Sequence, residues 1–408
     1  MSNKKEIIKN LVSFGTIDVL GLLLPIVTMP ILTRALGPSQ YGELLLLLTM
    51  LYFGHTIIDY GTQFTAVRKL ANVRNNKHDI NNIYSDNQSL RLVLCLLYLI
   101  GLIVYCFVFS LHYILNNVII FGSMYLIGYT LSSPWFFQGI GAVEQLMKVS
   151  LTAKLINLII ILFFVNSPKD LTIAIAAFCI PILFSGLYLT TYIYLKYKLS
   201  IPKFNKLLNS LKDGKDVFIG LLAPNFYNMI PTIVLGTYFP PSEFVNFAIA
   251  SRLSSIIVTI QDVIAKAIYP VISRIKESQV VKLLVVNGLI SILPILFLYY
   301  FGSYIIRYFL GEKFLDVNQY LMIFCIGVLF IGLSNAISKG FLLPKGLDKI
   351  YRNISLVVSI LSSIICLWGI YEWGLLGGAI AISLARFLFF ITYYFYYLKL
   401  KNNYKYSV

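Results

Sequence analysis

The chain has 408 residues, 58% hydrophobic and only 12% charged, with 33 Lys and Arg against 17 Asp and Glu for a net charge of +16. A charged fraction about half that of a soluble domain excludes a water-soluble globular protein and assigns the chain to a membrane. The basic excess does not point to nucleic acid: with the N-terminus inside and twelve crossings, 26 of the 33 Lys and Arg fall on the inner side, as the positive-inside rule requires.

A helical span needs roughly 20 apolar residues. Twelve candidates begin near Leu11, Tyr41, Leu90, Tyr113, Val149, Leu171, Val217, Phe244, Val281, Gln319, Ile354 and Leu375. The expected architecture is an all-α integral membrane protein, and little chain is left for a soluble domain. The N-terminus carries Lys4, Lys5 and Lys9 before a long apolar run without a small-residue cleavage site, so it reads as an uncleaved first helix.

The first span contains Pro25 and Pro30. Each removes a backbone donor and disturbs the helix one turn back, which makes both candidate hinges. Arg34 sits at the outer end, where it snorkels or caps the turn. A polar turn, Pro38-Ser-Gln-Tyr-Gly42, then leads to a second span with His55 and Asp59. The polar 68–89 stretch reads as an inner loop, with Arg91 counted among its basic residues. Residues 1–197 form the first half, and 198–216 form a basic cytoplasmic linker.

The second half, residues 217–408, opens on the most irregular span. Pro224 and Pro231 are candidate hinges there, with Asn225 and Asn228 between them as candidate sugar contacts together with Tyr227. A weak internal repeat links the halves: Pro38, Ser39, Tyr41 and Asp59 shifted by 203 give Pro241, Ser242, Phe244 and Asp262. This pattern suggests a transporter of two related halves.

No catalytic constellation is present. His55, His78 and His112 lie in separate segments, and the five cysteines fall inside apolar spans without metal spacing. Gly214-Lys215 lacks the upstream Gly of a phosphate-binding loop, and Gly139-Ile-Gly141 lacks the third Gly of a dinucleotide loop. The outer loops are too short to hold an enzyme site. The reading is therefore no enzyme, no metal and no cofactor beyond a coupling cation, H+ or Na+.

What remains are ionisable residues inside spans: Asp18, His55, Asp59, Arg252, Asp262, Lys266 and Arg386. Each costs about 2.5–3.5 kcal/mol at a span centre on insertion scales, so the seven are expected to share a polar interior. Arg252 and Arg386 fall near mid-membrane, where guanidiniums suit a phosphate or diphosphate. With Lys266, Asn225 and Asn228 they form the candidate substrate set. Asp18, His55, Asp59 and Asp262 form the candidate gating or ion-coupling set, and Asp262–Lys266 is equally readable as a structural pair.

Arg34-x-Leu36-Gly37-x-x-x-Tyr41-Gly42, followed by Asp59-x-Gly61 and Arg68, resembles the opening of bacterial polysaccharide exporters of the Wzx-type O-antigen flippase family. Ala250-x-Arg252, Tyr269-Pro270 and Ser273-Arg274 are similar to that family's second half. Val245 stands where Gly42 would recur, and no Arg recurs in place of Arg34.

The resemblance implies a fold like that of multidrug and toxin extrusion (MATE) transporters, with two pseudo-symmetric six-helix bundles around a central cavity. It implies a protein that moves undecaprenyl-diphosphate-linked repeat units from the inner to the outer leaflet of the bacterial inner membrane. Its partners would be that lipid-linked oligosaccharide, membrane lipids, an O-antigen polymerase and a chain-length regulator. The alternative is a cation-coupled multidrug or small-molecule exporter of the same superfamily, which would prefer an acidic, aromatic cavity without mid-membrane arginines. A peptidoglycan-precursor flippase would have two further spans, and a non-transporting assembly factor would lack the buried charges.

Overall fold

A computed structural model describes residues 3–73, 77–272, 280–345 and 347–401, with the side chains of 3–24, 71, 205, 262–272 and 348 outside the description. Among the described residues the regular structure is entirely helical. In chain order the helices are α1 (Asn3–Asp59), α2 (Thr62–Asn72), α3 (Lys77–Val108), α4 (His112–Asn117), α5 (Ser123–Ser132), α6 (Pro134–Ile140) and α7 (Val143–Phe164). They continue with α8 (Leu171–Tyr197), α9 (Leu207–Leu222), α10 (Met229–Tyr238), α11 (Pro241–Ile272), α12 (Val280–Phe309), α13 (Val317–Ile337) and α14 (Asp348–Lys401).

Nine helical stretches among the described residues are long and apolar enough to cross a membrane, and the broken pair Leu207–Phe226 and Met229–Tyr238 makes a tenth. Two of the nine are double. α1 has 57 residues, about 85 Å at ~1.5 Å per residue, against a hydrocarbon core of ~30 Å. It kinks at Gly37, whose φ of 73° is cheap only for glycine. α14 divides at Gly374, φ 57°, and Gly369 and Gly377 lie against each other across that turn. The count is then twelve crossings, and the chain is a multi-pass membrane protein.

The exposure pattern agrees with hydrocarbon as the surrounding solvent. Only 22% of the apolar window of Lys77–Val108 and 17% of that of Val143–Phe164 is buried inside the protein. Apolar surface on that scale is not left facing water. Tyr299, Tyr300, Tyr304 and Tyr308 are exposed near the end of α12, and Trp368, Tyr371 and Trp373 beside the Gly374 turn. Clusters of amphipathic rings at span ends are the usual interfacial belts.

The helices pack as two compact units, Ala35–Asn225 and Met1–Arg34 with Phe226–Val408. In the first, α5 and α7 pack on α8 and α2 packs on α6. Trp135, Phe136 and Phe137 of α6 form an aromatic core with Leu70, Tyr84 and Ile193. Residues 198–206 are tied along α3: Asn81 Oδ1 accepts from Ser200 N at 2.7 Å, Ser85 Oγ accepts from Lys203 N at 2.7 Å, and Ser89 Oγ donates to Lys203 O at 2.9 Å. In the second unit α13 packs on α11, α12 and α14. Tyr227, Ile337, Phe341, Phe389 and Tyr393 are part of its core.

The prolines behave in two ways. α1 runs through Pro25 and Pro30 and leaves helical geometry only at Gly37. Pro224 lies in a short 3-10 turn, Ala223–Phe226, that separates α9 from α10. Pro231 sits in the first turn of α10, where a missing N–H costs nothing because that donor has no helical partner anyway.

A buried ionic cluster and the candidate functional residues

The most developed polar site lies in the Ala35–Asn225 unit, and its origin is the end of α5. Ser133 precedes Pro134, where a helix usually ends, and takes a left-handed φ of 46°. The helix stops, and its last carbonyls lose their partners. Thr130 O accepts Arg91 Nη1 at 3.0 Å and Gln88 Nε2 at 2.9 Å. Leu131 O accepts Thr190 Oγ1 at 2.7 Å, and Ser133 Oγ donates to Gln88 Oε1 at 2.9 Å. A cation at a helix C-terminus also meets the negative end of the macrodipole.

Arg91 is fully buried, so its charge needs a counter-ion. Asp59, at the end of α1, supplies it: Arg91 Nη2 is 3.0 Å from Asp59 Oδ1, with side-chain exposures of 0% and 8%. The other carboxylate oxygen accepts from Tyr129 Oη at 2.5 Å and from Gln63 Nε2. The Arg91 guanidinium also lies 5.6 Å from the Tyr129 ring centroid. His55, one turn before Asp59, stacks on Tyr129 with centroids 3.6 Å apart and planes 10° apart, and faces Tyr125 at 5.5 Å. Its Nε2 is buried without a hydrogen-bond partner among the described residues.

The structure thus brings together His55 and Asp59 and adds Arg91, Tyr129 and Gln88. Arg91, assigned to an inner loop from the sequence, is a buried helical residue: α3 begins at Lys77, well before the apolar run. The signal was present. Tyr84, Gln88, Arg91, Cys95 and Leu102 share one buried face of α3 at helical spacing.

Arg252 and Arg386 belong to the other compact unit. Arg386 on α14 is buried at 8% exposure, in the neighbourhood of Tyr227 and Cys325, and its Nη1 has no hydrogen-bond partner among the described residues. Arg252 is partly buried on α11. Asn225 Nδ2 donates back to Leu221 O at 3.0 Å, and the Asn228 carbonyl accepts Thr232 Oγ1 at 2.7 Å. Arg34 Nη2 donates to Tyr308 O at 2.5 Å. The side chains of Asp18, Asp262 and Lys266 lie outside the described residues, as do Ser273 and Arg274. No group of three His, Cys, Asp or Glu among the described residues could hold a metal ion.

A family model described as polysaccharide biosynthesis protein matches residues 7–276. A curated protein of Shigella dysenteriae is 24% identical over 388 residues, 93% of this chain and 97% of its own length. One of Escherichia coli K12 is 26% identical over 379 residues, covering 88% and 89%. Both carry the name "Putative O-antigen transporter". Among solved structures, an inward-facing multidrug resistance MATE family transporter of the MOP superfamily superposes with a TM-score of 0.73 at 14% identity, over 98% of this chain and 100% of that one. The lipid II flippase MurJ in an inward closed conformation gives 0.70 at 15%, over 97% and 91%. The fold is that of these transporters.

Proposed function

This chain belongs to the polysaccharide biosynthesis protein family, and on that premise we propose that it is a flippase for a lipid-linked polysaccharide precursor. The cargo is an undecaprenyl-diphosphate-linked repeat unit of O-antigen or a related polysaccharide, carried from the inner to the outer leaflet of the bacterial inner membrane. Both termini are cytoplasmic, as the Lys and Arg distribution favours. The observation that carries the reading is the match to relatives named as O-antigen transporters over nearly the full length of both chains.

The chemistry needed is binding, not bond making. A diphosphate in a low-dielectric interior needs fixed cations, and guanidinium holds it bidentately. Arg386 is a buried guanidinium with donor capacity to spare, and Arg252 is the second candidate, with Lys266, Asn225 and Asn228 completing the set. Alternating access would use the break at Pro224 and the first span as bending elements. Asp18, Asp262 and His55 are the groups that would pair, unpair or carry a coupling H+ or Na+. Asp59 is engaged by Arg91 in this geometry and would take part only if that pair opens. A polymerase and chain-length regulator on the outer side would consume the product and favour export.

Deletion of the gene tests this directly. The expected result is loss of surface polysaccharide with lipid-linked repeat units retained at the inner leaflet, restored by the wild-type chain but not by Arg252→Ala or Arg386→Ala at equal protein level. Unchanged polysaccharide in a strain without a second exporter would overturn it in favour of a small-molecule exporter.

A further inference from the structure

α7 and α8 run antiparallel, with Gln145 Nε2 donating to Tyr188 Oη at 3.2 Å near the start of one and the end of the other. A cavity of about 750 Å³ lies between them, inside the Ala35–Asn225 unit. That volume is within the usual range of ligand sites, ~300–1,000 Å³. Its cause is local: Thr152, Ala153 and Ser185 are small where Ile156, Ile160 and Phe184 are large. Along α7 it extends from Gln145 to Ile160, roughly 22 Å of helix. Ile156 and Phe184 leave 43% and 64% of their surface exposed, so the groove is open along its side.

One end is different in kind. Gln145, Lys148 and Tyr188 line it, and beyond Tyr188 the same face of α8 continues as Tyr192 and Lys196. Tyr188 and Tyr192 stack at 6.4 Å, and Lys196 Nζ lies 2.6 Å from Tyr192 Oη and 5.1 Å from its ring centroid. Lys148 Nζ meets Glu144 at 2.7 Å, both side chains being mostly exposed. An exposed pair of that kind is worth about 0–1 kcal/mol, so the ammonium is free to exchange onto a phosphate.

We propose that the α7–α8 groove seats the polyprenyl chain of a lipid-linked cargo, with the cargo's phosphate at the basic, aromatic end. The groove is apolar along most of its length and cationic at one mouth, which fits an amphiphile with an apolar chain and an anionic head. The choice of a prenyl chain over a bilayer phospholipid rests on the function proposed above. On the same topology the basic mouth faces the cytoplasm, where such a cargo is loaded.

The test uses the full chain in phosphatidylcholine nanodiscs, photolabelled with a benzophenone-bearing polyprenyl phosphate and digested for mass spectrometry. Label is expected chiefly on α7 and α8. Thr152→Trp and, separately, Ser185→Leu fill the groove from opposite walls and should each lower that label about fivefold while the protein melts as before. Lys148→Gln with Lys196→Gln should lower it about threefold, and excess phosphatidylglycerol should not displace it. Label that is indifferent to both groove-filling variants, or lies elsewhere, overturns the proposal. Displacement by phosphatidylglycerol also overturns it, since an ordinary anionic lipid is then the occupant. A chain that exports repeat units without this label overturns the groove alone, and a labelled chain without export supports the groove while overturning the flippase.

Discussion

Replacing Arg91 by Met leaves the Asp59 carboxylate buried with its charge uncompensated. Removing one partner of a buried pair costs about 3–5 kcal/mol, and a lone charge within a span costs ~2.5–3.5 kcal/mol on insertion scales. Asp59 keeps its bonds from Tyr129 and Gln63, and Thr130 O keeps Gln88, so the lower end, about 3 kcal/mol, applies. At ~2–4 °C per kcal/mol for a unit of this size, Arg91→Met should lower the melting temperature of the purified protein by roughly 10 °C. Adding Asp59→Leu removes the orphaned charge and should recover most of that loss, because apolar replacement of a whole buried pair is often neutral. The residual cost is about 1 kcal/mol for the Tyr129 hydroxyl left without its acceptor. If the double variant melts at the sum of the two single losses, the pair does not hold this region together. Export by the double variant settles the role of Asp59 as well: activity at normal protein level assigns it to structure, and inactivity with normal melting assigns it to coupling.

Three further outcomes are expected. A Cβ on Gly186 would press on the Gly128 carbonyl, and one on Gly128 would lie 2.5 Å from Ile182 O, so Gly186→Val should destabilise the α5–α8 crossing by about 1–3 kcal/mol; an unchanged melting curve would refute that close approach. All five cysteines are buried, so a water-soluble maleimide should label none in the native protein and all five after denaturation. Arg34→Ala removes an exposed bond to the Tyr308 carbonyl and should cost no more than about 1 kcal/mol, leaving export intact; lost export at normal protein level would instead place Arg34 in the transport path.

Twelve crossings were legible because hydropathy over ~20 residues is dictated by bilayer thickness, and no tertiary contact can override it. The bend in the first helix pair was less so. Proline is the residue that breaks helices in general, yet α1 passes Pro25 and Pro30 and turns at Gly37, where positive φ does what a lost hydrogen bond did not. Pro224 did mark a real break, helped by the irregular residues around it. The buried cluster was half legible: His55 and Asp59 stood out as polar groups in an apolar run, while Arg91 was hidden in a stretch whose Asn and Ser content mimics a loop.

The missing half nonetheless has a local cause. Ser133-Pro134 stops α5 inside the protein, and a buried helix end must find donors for its carbonyls. Gln88 and Arg91 on α3 supply them at Thr130. A buried guanidinium then requires a carboxylate, and the one offered is Asp59. Read in that direction, the ion pair follows from a proline 43 residues beyond the arginine, through a helix terminus and not through any pattern of charges. Pro134 is therefore the residue on which the ion pair depends. Pro134→Ala should let α5 continue, withdraw Thr130 O from Arg91, and lower the melting temperature even though no charged residue has changed. If instead Pro134→Ala melts like the wild type while Arg91→Met does not, the pair is an independent element and the helix end is incidental.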